Sequence, residues 1–172
     1  MLNSIANYDF ERLSVLLIDG NKHMRATVRS ILQTLGCKII HESGDAAEAL
    51  RENLYTNIDL IIVSWLLHPL TGPEFVKMVR TATDSPNKTI PIIMMSGQSK
   101  YQDVIAARDS GVNEFLAKPI SPTTLYQRIL SVIEDPREFV TNKSYTGPCR
   151  RRQMLGPPPG VPERRRPDPY ST

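Results

Sequence analysis

The chain has 172 residues, 40% of them hydrophobic, and a formal net charge of +3, which fits one globular domain with a sizeable core. Its longest apolar runs, Val15 to Ile18 and Leu60 to Leu67, fall short of the roughly 20 residues that span a bilayer, so no membrane span is expected. The opening MLNSIANYDFERL has no basic segment followed by an apolar core, so we expect no secretory signal and a cytoplasmic location.

After a lead-in of residues 1–13, SVLLID is a continuous apolar run of the kind buried strands show. NKHMRATVRSILQTLG follows with Met24, Val28, Ile31, Leu32 and Leu35 at helical spacing and Gly36 as its stop. The alternation repeats as KIIHE and DAAEALREN, DLIIVS and GPEFVKMVRTAT, IPIIMMS and YQDVIAARDSG, then NEFLAKP and SPTTLYQRILSVIED. Five strand–helix units over residues 14–135 predict an α/β fold with a parallel sheet covered on both faces. Ligand-facing groups in such folds stand at the carboxyl ends of the strands.

Beyond Asp135-Pro136 the periodicity stops. Residues 141–172 hold seven of the fourteen prolines, seven basic and two acidic side chains, and few apolar residues. The segment 136–172 is therefore expected to be a disordered or extended tail that orders only against something else. The remaining 14 basic and 16 acidic residues leave the body slightly negative, so the positive charge is concentrated in the tail.

The strand ends bring together Asp19, Gly20, Ser64, Ser96 and Lys118. LLIDGNKHMR, MMSGQ and EFLAKP together resemble the receiver domain of CheY-like response regulators over roughly residues 13–135. The resemblance implies a flavodoxin-like doubly wound sheet of strand order 2-1-3-4-5. In that family, paired acids after the first strand hold Mg²⁺, an aspartate ending the third accepts a phosphoryl group, and a hydroxyl and a lysine bind the phosphate. An aromatic three residues before the lysine reports the switch. Asp19 matches the first acid, Ser96 the hydroxyl, Lys118 the lysine and Phe115 the aromatic, while Gly20 replaces the second acid. Ser64 stands at the acceptor position when counted back from Gly72, and Trp65 when counted back from Pro69. Neither is a carboxylate.

An acyl phosphate needs a carboxylate nucleophile and a cation to neutralise its product. Mg²⁺ is held by carboxylates plus phosphate oxygens, so Asp19 alone is at most a weak ligand, and no metal cofactor is expected. The resemblance thus implies a degenerate receiver, with Lys118 pairing Asp19 instead of phosphate. We expect no enzyme activity, since no general base is paired with a nucleophile in the pocket. Cys37, Cys149, His23, His41 and His68 lack metal-ligand spacing.

Two arginine triplets, Arg150, Arg151, Arg152 and Arg164, Arg165, Arg166, are flanked by Tyr145 and Tyr170. Guanidinium groups grip phosphates, pair with guanine edges and stack on rings. By composition alone, a solvated basic tail or nonspecific contact with RNA, anionic lipid or an acidic protein is the plainer account. SYTGPCRRR, followed by a second cluster, resembles the extension of alphaproteobacterial CheY-like cyclic di-GMP effectors. That implies a candidate cyclic di-GMP site formed by Tyr145 and the six arginines, in a protein acting on motility. Expected partners are a signalling or flagellar-motor protein on the face of the fourth helix, fifth strand and fifth helix. The alternatives are a conventional phosphorelay receiver and a nucleic-acid-associated regulator; no helix-turn-helix follows the receiver, so sequence-specific DNA reading is not expected.

Overall fold

Five runs become parallel strands, the three central ones apolar enough to be buried on both faces. They are β1 (Ser14–Ile18), β2 (Ile39–Ser43), β3 (Leu60–Ser64), β4 (Ile92–Ser96) and β5 (Glu114–Ala117), in the order β2-β1-β3-β4-β5. The computed structural model describes residues 8–97, 100–134 and 136–150. Every residue of β1, β3 and β4 is buried, whereas β2, at an edge, is only partly so. The strands are joined by α1 (Lys22–Thr34), α2 (Ala46–Tyr55), α3 (Gly72–Thr81) and α4 (Tyr101–Ser110), and α5 (Pro122–Glu134) follows the last. This is the receiver architecture the resemblance implied.

Alternate residues of each strand feed opposite layers, as the two-residue period requires. Val15, Leu17, Ile62 and Ile93 pack with Val28 and Leu32 of α1 and Leu125 and Ile129 of α5. Leu16, Ile18, Ile61 and Met94 pack with Ala49 of α2, Phe75, Val76 and Val79 of α3 and Ala107 of α4. Local signals agree with this packing. Asn21 caps α1 by accepting from the His23 and Met24 amides, and Thr71 and Glu74 form a capping box on α3. The lead-in is partly enlisted: Phe10 is buried and meets Tyr126 of α5 edge to face, with ring centroids 5.9 Å apart. Among the described residues no helix is long and apolar enough to cross a membrane.

The segment after α5 differs from expectation. Its backbone is extended, but it pairs with itself as an antiparallel hairpin, β6 (Phe139–Asn142) and β7 (Tyr145–Pro148), seated on α3 and α4. The anchor is Arg80, an arginine only 1% exposed at the end of α3. Its guanidinium donates to the carbonyls of Gly111, Lys88 and Ile90 at 3.0, 2.8 and 2.7 Å and to Asn113 Oδ1 at 3.0 Å. Phe139 covers it, with the ring centroid 5.2 Å from Cζ. Burial lowers the Arg80 pKa to about 10, because the apolar surroundings disfavour the charged form. Gly111 and Gly147 allow the close approach: a Cβ on Gly147 would lie 2.7 Å from Gly111 Cα, and one on Gly111 would lie 2.6 Å from Thr146 O. The hairpin thus orders against the chain's own α3–α4 seam, at the end where β4 and β5 begin.

Candidate functional site

The strand carboxyl ends converge on a small polar cluster in an otherwise apolar sheet. Asp19 follows β1 directly and is 2% exposed, Ser64 ends β3, Ser96 ends β4, and Lys118 follows β5. Lys118 Nζ donates to Asp19 Oδ2 at 2.7 Å, the ion pair expected from the sequence, and to Ser64 Oγ at 3.1 Å. The main chain holds the lysine in place, its N–H donating to Ser96 O at 2.8 Å. Ser96 is 2% exposed, and Phe115 packs partly buried against the α2–α3–α4 layer.

This geometry decides the register left open by counting. Ser64 Oγ faces Lys118, whereas Trp65 packs partly buried with Leu67 and Leu70 against the α2–α3–α4 layer. Gly72 explains why the spacing from the glycine was the better guide. A Cβ there would lie 2.4 Å from Ser64 O, and its N–H donates to Trp65 O at 2.8 Å, so the β3–α3 loop returns onto the strand end only without a side chain. Asp59 sits at the opposite end of β3, where its Oδ2 accepts from the Ser14 amide at 2.9 Å.

The donor set is a poor one for a divalent cation. Asp19 Oδ1 accepts from the Asn21 amide at 2.8 Å, Oδ2 is taken by Lys118, Gly20 offers no side chain, and Ser64 supplies a neutral hydroxyl. Among the described residues no three His, Cys, Asp or Glu side chains come together. Mg²⁺ is usually held by one or two carboxylates plus phosphate oxygens, and Asp19, already paired with Lys118, is the carboxylate this cluster offers.

Sequence reading missed Arg25, which donates from Nη1 to Asp19 O at 2.6 Å and approaches Glu42 at 3.8 Å. Its signal was weak, since Lys22 stands beside it in the first turns of α1 and nothing in the order of residues sets one apart from the other. It also missed Arg80, whose signal was stronger: it shares the inward stripe of Phe75, Val76 and Val79. His41 lies in β2, with Nδ1 2.9 Å from Glu52 Oε1.

The tail residues fare unevenly. Tyr145 was expected to face a ligand, but it is 8% exposed and its hydroxyl donates to Pro148 O at 2.7 Å. Arg150 covers its ring at 4.1 Å and reaches Asp109 of α4 at 3.5 Å. The stack and the turn use up the aromatic face that a base would need. Arg151, Arg152, Arg164, Arg165 and Arg166 lie outside the described residues.

The comparisons with known proteins agree with this fold. The family model "response regulator receiver domain" matches residues 15–130. The chain belongs to the response regulator receiver family. It is 26% identical over 124 residues to the chemotaxis protein CheY-3 of Vibrio cholerae serotype O1, covering 72% of this chain and 94% of that protein. The solved structure of the chemotaxis response regulator CheY4 of Vibrio cholerae superposes with a TM-score of 0.63 at 29% identity, covering 70% of this chain and 98% of that one. The CheX–CheY–BeF3–Mg complex of Borrelia burgdorferi gives a TM-score of 0.63 at 25% identity, covering 70% and 89%.

Proposed function

We propose that this CheY-like receiver is a phosphorylation-independent interaction module in signal transduction. The observation that carries the reading is the closed Lys118–Asp19–Ser64 contact, which puts an internal cation where a receiver needs a metal and a hydroxyl where it needs a carboxylate. An acyl phosphate has no nucleophile to form on, and the charge that would stabilise it is already engaged. Ser96 and Phe115 then belong to one fixed state instead of reporting phosphorylation. The module needs no metal and catalyses no reaction.

Its output is a docked protein, a signalling or flagellar-motor component on the face of α4, β5 and α5. The Borrelia relative was solved in complex with CheX, which supports a docked protein as the output. Its input is a ligand of the arginine-rich segment, and cyclic di-GMP suits both the guanidinium chemistry and the motility context. Two measurements test the reading. Incubation with acetyl phosphate and Mg²⁺ is expected to leave the protein unmodified by intact mass; a stable adduct at Ser64 would instead make it a phosphorylatable receiver. Calorimetric titration with cyclic di-GMP is expected to show binding that is lost when Arg151, Arg152, Arg164, Arg165 and Arg166 become alanine. Binding that survives those changes would move the ligand site off the tail.

A further inference from the structure

We infer that the cavity enclosed by α3, the end of α4 and the turn of the hairpin is a binding site for a small phosphorylated polyol. The inference goes beyond the interaction-module reading and does not depend on it. The cavity has a volume of about 300 Å³, at the small end of ligand sites, and lies at the sheet end opposite to the Asp19–Lys118 cluster. Its walls include Lys77 and Thr81 of α3, Asp109 and Ser110 of α4, and Lys143 and Ser144 of the turn.

The charges favour an anion. Lys77 and Lys143 are exposed, and among the described residues neither forms an ion pair. Asp109, the carboxylate in the wall, already has its Oδ1 3.2 Å from Arg108 and 3.5 Å from Arg150. Arg80 also borders the cavity and, at 1% exposure, is met by neutral acceptors, three carbonyls and Asn113 Oδ1. Carbonyl dipoles satisfy its N–H groups without cancelling its charge, which acts through a medium of low dielectric. A phosphate dianion held between the two ammonium groups supplies the counter-charge.

The hydroxyl groups select the rest of the ligand. Thr81 Oγ1 donates to Lys77 O at 2.8 Å, Ser110 Oγ to Ala107 O at 2.6 Å, and Ser144 Oγ to Asn142 Oδ1 at 3.1 Å. Each hydroxyl hydrogen is directed at the protein, so the oxygens remain as acceptors. They call for O–H donors on the ligand, which a bare anion has in short supply and a polyol has in number. The turn itself is ordered: Asn142 Oδ1 accepts from the amides of Ser144 and Tyr145, both at 2.9 Å, which fixes where Lys143 and Ser144 stand. A ligand spanning Lys77 and Lys143 thereby fastens the hairpin to α3.

The test is amide NMR of the isotope-labelled full chain, titrated at constant ionic strength with ribose 5-phosphate, inorganic phosphate and ribose. Ribose 5-phosphate is expected to give saturable shifts at Thr81, Ser110 and Ser144. Inorganic phosphate is expected to bind at least about threefold more weakly, and ribose not to bind. Lys77→Ala and Lys143→Ala, both surface changes, are each expected to weaken ribose 5-phosphate at least about fivefold. Lys22→Ala on α1, which packs on the other face of the sheet, is expected to leave affinity within about twofold, as is replacement of Arg151, Arg152, Arg164, Arg165 and Arg166 with alanine. Shifts that fail to saturate, equal affinity for inorganic phosphate, indifference to both lysine changes, or loss of binding with the five arginines overturns the inference. Acetyl phosphate labelling reads the other end of the sheet, so a labelled protein that binds ribose 5-phosphate defeats only the interaction-module reading, and an unlabelled one that does not bind it defeats only this site.

Discussion

The guanidinium of Arg80, at the end of α3, lies under the ring of Phe139, 5.2 Å from its centroid, and this contact joins the C-terminal hairpin to the receiver body. A cation this deeply buried persists because three carbonyls and a carboxamide oxygen surround it. Arg80→Met leaves those acceptors without their donor, and we predict a loss of about 2–4 kcal/mol with early tryptic cleavage at Lys143. Phe139→Ala exposes the same seam at a smaller cost of about 1–2 kcal/mol. Denaturant melts combined with limited proteolysis check both; unchanged cleavage at Lys143 in Arg80→Met would show that the hairpin is held by something else.

At the other end of the sheet the most sensitive backbone position is Gly72. Its absent side chain makes room for Ser64 O and Trp65 Cα, which a methyl would meet at 2.4 and 3.0 Å. Both obstacles are backbone, so neither can swing away. Gly72→Ala is predicted to cost about 2–4 kcal/mol and to shift the emission of Trp65, the only tryptophan in the chain. A variant as stable as the parent would mean the β3–α3 loop relaxes freely.

Restoring acids is predicted to restore a metal site in part. A Cβ at Gly20 has only Gly44 O near it, at 3.7 Å, so Gly20→Asp is accommodated. With Ser64→Asp, the pocket has three carboxylates against Lys118, and Mg²⁺ is expected to bind in the millimolar range with quenching of Trp65. Titrations of each single variant should show little response. No response in the double variant would place the defect beyond these two positions.

Cys37 provides a pH test of the core. It is 2% exposed, and burial raises its thiol pKa from 9.0 to about 11. The unfolded chain therefore ionises first: the thiol's contribution to stability is fully present below about pH 9 and is lost as pH rises towards 11. The stability difference between the parent and Cys37→Val is expected to shift in favour of the variant across that window. A pH-independent difference would contradict it. Because valine does not titrate, other alkaline ionisations cancel.

The parallel sheet, its five helices and the cluster of Asp19, Ser64, Ser96 and Lys118 were legible in the residues, because apolar period and strand-end position are local properties of a chain. That positions 20 and 64 carry a glycine and a serine is read directly from the residues, and it is the receiver resemblance that implied acids there. Counting alone left Ser64 and Trp65 in competition, and only the return of the β3–α3 loop over Gly72 turned the serine towards Lys118.

The C-terminal segment marks the limit of that reading. Phe139, Tyr145 and Gly147 are too few and too scattered to announce a hairpin, because the surface they bury belongs to Arg80 and Gly111, far away in sequence. The motifs at the strand ends pointed to a receiver, and composition along the chain to a basic extension. Tertiary structure decided that the first part of the extension belongs to the receiver, since a buried guanidinium and two facing glycines acquire meaning only when α3, α4 and the hairpin meet.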